Sequence, residues 1–178
     1  MAPPLPREGS RFRVVPVSAG PTHRFAGVGN VIVAVYGGAP EASALAEREP
    51  WIEQALRRFA GVGQLVIVDR DASGSLPGRE FREASREQAD RYRGSILFSA
   101  CVIEGEGVHH TLVRTFLRGL ALVAGKDVPV RFFDTVAPAA SWAATLTEPH
   151  GGPNAGELTK AIATVRAALA SITENRSP

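Results

Sequence analysis

The chain has 178 residues, 44% hydrophobic and 21% charged, so it is long enough for one domain with a substantial core and too apolar for wholesale disorder. The formal net charge is only +2, and acids and bases are mixed along the predicted helices, which argues against a nucleic-acid surface. A single cysteine excludes an intrachain disulfide and a multi-cysteine metal site. No apolar run approaches the roughly 20 residues of a membrane span, so a cytoplasmic location is the default expectation.

The chain begins with a proline-containing segment, residues 1–10, that has no apolar signal-peptide core and predicts a flexible leader. Short apolar and β-branched runs then predict strands, and the apolar runs of the later ones suit a parallel sheet with both faces covered. The predicted strands are Arg11–Val17, His23–Ala26, Val31–Tyr36, Leu65–Val68, Ser95–Ile103 and Val128–Phe133.

Helical periodicity fills most of the intervals between these strands. The predicted helices are residues 40–60, 79–92, 108–123, 134–146 and 154–172. Pro50 is expected to kink the first helix or to begin a second one, and Asn154 is expected to cap the last. The helix from Arg79 to Tyr92 is unusually polar, so it should cover little core or lie against a partner. Alternating strands and helices predict an α/β fold, with a domain over residues 11–149 and a linker and C-terminal helix over 150–178.

Acidic and small polar residues follow the central strand, Leu65–Val68, at the end where parallel sheets usually hold their functional groups. Asp69 comes first, and Asp71, Ser73 and Gly74 form the loop after it. Ser73 is a candidate phosphoacceptor, because a phosphate there would face the charges of Asp69 and Asp71 and break a docked interface. The alternative is a plain turn, since Asp, Ser and Gly are common turn residues.

Other candidate sites are weaker. The glycine-containing Gly105–Gly107 turn lies between a strand and a helix but lacks the lysine and serine of a phosphate loop. Adjacent His109 and His110 diverge by about 100° on a helix, which is awkward for one metal ion. Cys101 lies inside an apolar strand, where a thiol is usually a packing group. No catalytic set, metal site or cofactor is therefore predicted.

Three segments together resemble the STAS domain family, which includes the bacterial anti-sigma-factor antagonists. These are a hydrophobic strand ending in aspartate, an Asp-x-Ser-Gly loop, and a late strand followed by a short amphipathic helix. They correspond here to Leu65–Asp69, Asp71–Gly74, and Arg131–Asp134 leading to Ala139, Ala140 and Trp142. The resemblance implies a mixed sheet flanked by helices, here with an additional C-terminal helix, and a serine phosphorylation loop.

Two functions from different classes follow from these observations. The first is a non-enzymatic regulatory or protein–protein interaction module, with Ser73 as the switch, Asp69, Asp71 and Gly74 in the contact loop, and self-association as one form of partnership. The second is an enzyme or small-ligand binder that uses carboxylates at the strand ends, Asp69, Asp71 and Glu104, together with Ser99. A carboxylate pair can act as acid and base only if an apolar pocket shifts one pKa.

Overall fold

A six-stranded sheet organises the fold, with its strands in sequence order. The computed structural model describes residues 11–69, 77–105, 111, 113–115, 118 and 128–174, with side chains through residue 171. The strands are β1 (Val14–Ala19), β2 (His23–Val28), β3 (Val31–Tyr36), β4 (Val62–Val68), β5 (Ile96–Ile103) and β6 (Val130–Phe133). The β1–β2 and β2–β3 pairs are antiparallel, and the pairs from β3 to β6 are parallel. The expected mixed α/β sheet is confirmed.

The helices are α1 (Ala42–Leu56), α2 (Arg79–Arg91), α3 (Val136–Thr147) and α4 (Ala155–Glu174), with a short 3₁₀ turn at Glu148–His150. Pro50 lies within α1, so it does not begin a second helix. The helix predicted over residues 108–123 falls mostly outside the described residues. The described positions within it, 111, 113–115 and 118, are helical.

The two faces of the sheet carry different helices. On the first face, α3 and α4 cover the main core, which includes the fully buried Val33, Leu65 and Phe98. On the second face, α1 covers β2 and β3, where Phe25 and Ile32 are buried against it. Consecutive parallel strands place the carboxyl ends of β3 to β6 along one edge, which is where the candidate residues after β4 and β5 come together.

The C-terminal helix α4 belongs to the main core. Its start is a reciprocal cap: Glu157 N–H donates to Asn154 Oδ1 at 2.9 Å, and Asn154 N–H donates to Glu157 Oε2 at 3.0 Å. The predicted stripe comprises Leu158, Ile162, Val165, Leu169 and Ile172. Its first four members are buried in the main core on a helix that contacts β2 and β3, and the side chain of Ile172 lies outside the described residues. The boundary predicted between residues 149 and 150 stays a prediction, and the helix beyond it shares its core with the residues before it.

The two faces of the central strand β4 are covered unequally, whereas the sequence predicted full cover on both. Leu65 and Ile67 are fully buried on the first face. The second-face side chains of Gln64, Val66 and Val68 are half-buried, and we call this strip the β4 trough. The physical reason lies in α2, which buries only Phe81 and Gln88 and packs mainly against α1. A helix of that polarity has too little apolar surface to cover β4.

Candidate functional site

The carboxylates predicted at the strand ends do converge. The sheet ladder continues one residue beyond β4 and β5, because Asp69 N–H donates to Tyr36 O at 3.0 Å and Glu104 N–H donates to Val68 O at 3.2 Å. Side chains alternate along a strand, so Asp69 follows Ile67 onto the first face and Glu104 follows Val102 onto the same face. Both carboxylates therefore point toward α4.

Arg166 of α4 lies between these two carboxylates. Its Nε is 2.9 Å from Asp69 Oδ1, and its Nη2 is 2.8 Å from Glu104 Oε2. The N–H directions do not meet hydrogen-bond geometry, so these contacts are ion pairs rather than aligned hydrogen bonds. All three side chains are between 20% and 28% exposed. The arrangement joins α4 to the ends of two strands and leaves the carboxylates facing a cation instead of an apolar pocket.

The remaining predicted site residues are elsewhere. Ser99 pairs with Gln64 and Val130 in mid-sheet and shares the second face with Cys101, so it does not join Asp69 and Glu104. Asp71, Ser73 and Gly74 lie outside the described residues, as do Glu106, His109 and His110.

Cys101 is a packing residue, as its sequence context predicts. Burial raises the pKa of the thiol to about 11, although a hydrogen bond with Ser99 opposes this rise. A thiol with that pKa stays protonated near neutral pH, so it is a poor nucleophile.

A buried polar chain on the second face was missed by the sequence reasoning. Ser18 on β1 and His23 on β2 are buried, and Ser18 Oγ lies 2.8 Å from His23 Nε2. The Ser18 hydroxyl donates to the exposed Glu47 of α1. Because a serine has one proton, His23 must donate from Nε2 to Ser18, which is the opposite direction from a histidine that activates a serine nucleophile. In the sequence, the spacing of His23 two residues before Phe25 was the feature that could have predicted an inward-facing histidine.

The buried His23 should make the free energy of unfolding depend on pH. Burial lowers the pKa of His23 below 6.5; Arg24 adds to the shift, while Glu47 and Glu41 oppose it. Between the lowered pKa of His23 and pH 6.5, His23 is protonated in the unfolded chain and neutral in the folded chain. Stability is therefore fully present above about pH 6.5 and falls as the pH drops toward the folded-state pKa.

Urea unfolding between pH 5 and 8 should show this pH dependence of stability in the native chain and a smaller one in His23→Phe. His150→Gln, at an exposed position, is the matched control, and an equal slope in His23→Phe would contradict the assignment.

A second polar group on this face centres on Arg48 of α1, which is 7% exposed. Its Nε donates to Gln88 Oε1 at 2.6 Å, and the Gln88 amide donates in turn to Leu45 O at 3.0 Å. Within the described part of the chain, no carboxylate lies within ion-pair distance of its guanidinium. Burial lowers the pKa of Arg48, an effect opposed chiefly by Tyr36. Arg48 follows Leu45 by three residues and precedes Ile52 by four, so helical spacing could have identified it as inward-facing.

No metal site or membrane-spanning helix emerges from the described residues. Among them, no three His, Cys, Asp or Glu side chains are grouped as metal ligands. Likewise, within that part of the chain no helix is both long and apolar enough to cross a bilayer.

Comparison with known proteins adds no family assignment. No family model, curated protein or solved structure matches the chain. The STAS resemblance therefore remains an expectation based on the residues named above.

Proposed function

We propose that this chain is a non-enzymatic regulatory module of STAS-like type that binds a protein partner through α2 and the loop before it. Ser73 is the phosphorylation switch, and Asp69, Asp71 and Gly74 belong to the contact loop. A second copy of the chain is one partner of this kind.

The exposed face of α2 is the observation that carries the proposal. Apart from its contact with α1, this helix presents a mixed-charge surface to solvent. Its exposed residues are Arg79, Glu80, Glu83, Arg86, Glu87, Asp90 and Arg91. A solvated face that holds both signs of charge suits a reversible partner whose affinity responds to an added phosphate.

The Asp69–Arg166–Glu104 group supports binding over chemistry. Both described carboxylates of the alternative enzyme hypothesis are ion-paired with the same guanidinium. Acid–base catalysis needs one carboxylic acid in an apolar pocket, and these two carboxylates contact a guanidinium instead.

The switch is tested by quantitative co-purification with full-length native, Ser73→Asp and Ser73→Ala baits, and by sedimentation velocity of the same proteins for self-association. We expect Ser73→Asp to lower recovery of a specific partner, or the dimer fraction, by about tenfold or more, since about 1.4 kcal/mol corresponds to that factor. Ser73→Ala should bind like the native chain.

The surface is tested separately with the charge-neutral double reversal Arg86→Glu/Glu87→Lys on the exposed face of α2. We expect it to lower the same binding, whereas Lys160→Glu, exposed on α4 at the other face of the sheet, should leave it intact. A partner that binds all five proteins equally would eliminate both the switch and the surface.

A further inference from the structure

The starting observation is a buried guanidinium that is oriented but not neutralised. Arg48 makes one hydrogen bond, from Nε to Gln88, and among the described residues its two terminal amino groups have no protein acceptor. The nearest acidic neighbour in sequence, Glu49, is ion-paired with Arg91, and its charge only partly opposes the lowering of the Arg48 pKa by burial. Buried arginines are ordinarily paired, because the transfer of an isolated charge out of water is costly.

The position of Arg48 relative to the sheet identifies the space that it faces. Arg48 follows Ala44 of α1 by one helical turn, and Ala44 packs in one cluster with Tyr36 of β3 and Val66 of β4. Tyr36 is paired with Val68, and α1 also contacts β4. Arg48 therefore lies on the side of α1 that faces β3 and the β4 trough.

The trough is a half-buried strip of the second face among the described residues. Gln64, Val66 and Val68 are half-buried there, although β4 is a central strand and its first face is completely covered. The carboxylates of Asp69 and Glu104 point to the other face, where Arg166 holds them. They therefore do not repel an anion beside Arg48.

We propose that Arg48, oriented by Gln88 beside the β4 trough, binds the phosphate or carboxylate group of a small anionic ligand between α1, α2 and the sheet. A guanidinium whose Nε is already held presents its remaining N–H groups in a fixed plane, which suits two-point binding of such an anion. The Tyr36 hydroxyl adds a neutral donor from β3, since burial raises its pKa to about 12. This site is independent of the protein-partner surface proposed above.

The experiment is thermal unfolding of the full chain in increasing inorganic phosphate, or increasing acetate, with sodium chloride adjusted to constant ionic strength. We expect a saturable rise in Tm with at least one anion, about 3–6 °C at ten times its dissociation constant. The anion that acts at lower concentration identifies the preferred group.

Three variants distinguish this site from a general salt effect. Arg48→Gln should abolish the rise, Arg48→Lys should raise the required anion concentration about tenfold because it lacks the planar fork, and Arg58→Gln, at an exposed arginine after α1, should respond like the native chain. The proposal is overturned if the native Tm responds to neither anion, or if Arg48→Lys or Arg48→Gln retains the native response. If Arg48→Gln does not fold, the comparison of Arg48→Lys with Arg58→Gln decides the matter.

Discussion

A chain that ends after Pro149 is expected to lose its cooperative unfolding transition. α4 covers the first face over β2 and β3, and its removal exposes the fully buried Val33 and Val35. It also removes Arg166, leaving Asp69 and Glu104 side by side without their cation. Domains of this size are stabilised by only about 5–15 kcal/mol, which is comparable to the contribution of one core-forming helix. Circular dichroism and calorimetry of the shortened chain are the measurements.

Single substitutions at buried positions of α4 should also lower the free energy of unfolding. Leu158→Ala should lower the free energy of unfolding by about 2–5 kcal/mol, because Leu158 is fully buried. Lys160→Ala, exposed two residues later, should stay within about 0.5 kcal/mol of the native chain. If residues 1–149 instead gave a sharp transition and native-like near-ultraviolet circular dichroism, then the segment before residue 150 would be a domain in its own right.

The double variant Arg48→Met/Gln88→Leu is expected to be more stable than the native chain in buffer without added anion, by about 1–4 kcal/mol. The substitution removes a buried charge that has no ion-pair partner among the described residues, and it also removes the amide that orients that charge. Both replacements are apolar and close in length to the originals, so they can pack between α1 and α2. Urea unfolding at pH 7.5 in a chloride buffer is the measurement.

Controls separate this effect from a general gain in hydrophobicity. Arg58→Met, at an exposed position, should change stability by about 0.5 kcal/mol or less. Arg48→Met alone should gain less than the double variant, because Gln88 Oε1 then loses its donor. A double variant less stable than the native chain by more than about 1 kcal/mol would instead assign Arg48 a structural role. If the double variant is more stable than the native chain and also loses the anion response, then Arg48 lowers the stability of the folded chain but is needed for binding.

Several elements were predictable from local sequence. The β-branched run Val31–Tyr36 is a strand with the predicted bounds, because a continuous apolar run of that length suits a strand covered on both faces. Asn154 and the spacing from Leu158 to Leu169 predicted the cap and the buried stripe of α4. The polarity of α2 likewise predicted how little of it is buried.

Other features depended on tertiary structure. Val66 and Val68 are as apolar as their neighbours, but their exposure is set by α2, which packs against α1 and leaves the second face of β4 partly open. Arg166 meets Asp69 and Glu104 only because α4 crosses the first face. The sequence alone determined the mixed α/β fold, its elements and the two carboxylates at the strand ends. Only the tertiary structure decided that Arg166 neutralises them while Arg48 is buried with no carboxylate beside it in the described part of the chain. The reason is that periodicity reports which way a side chain faces but not which distant charge lies opposite it.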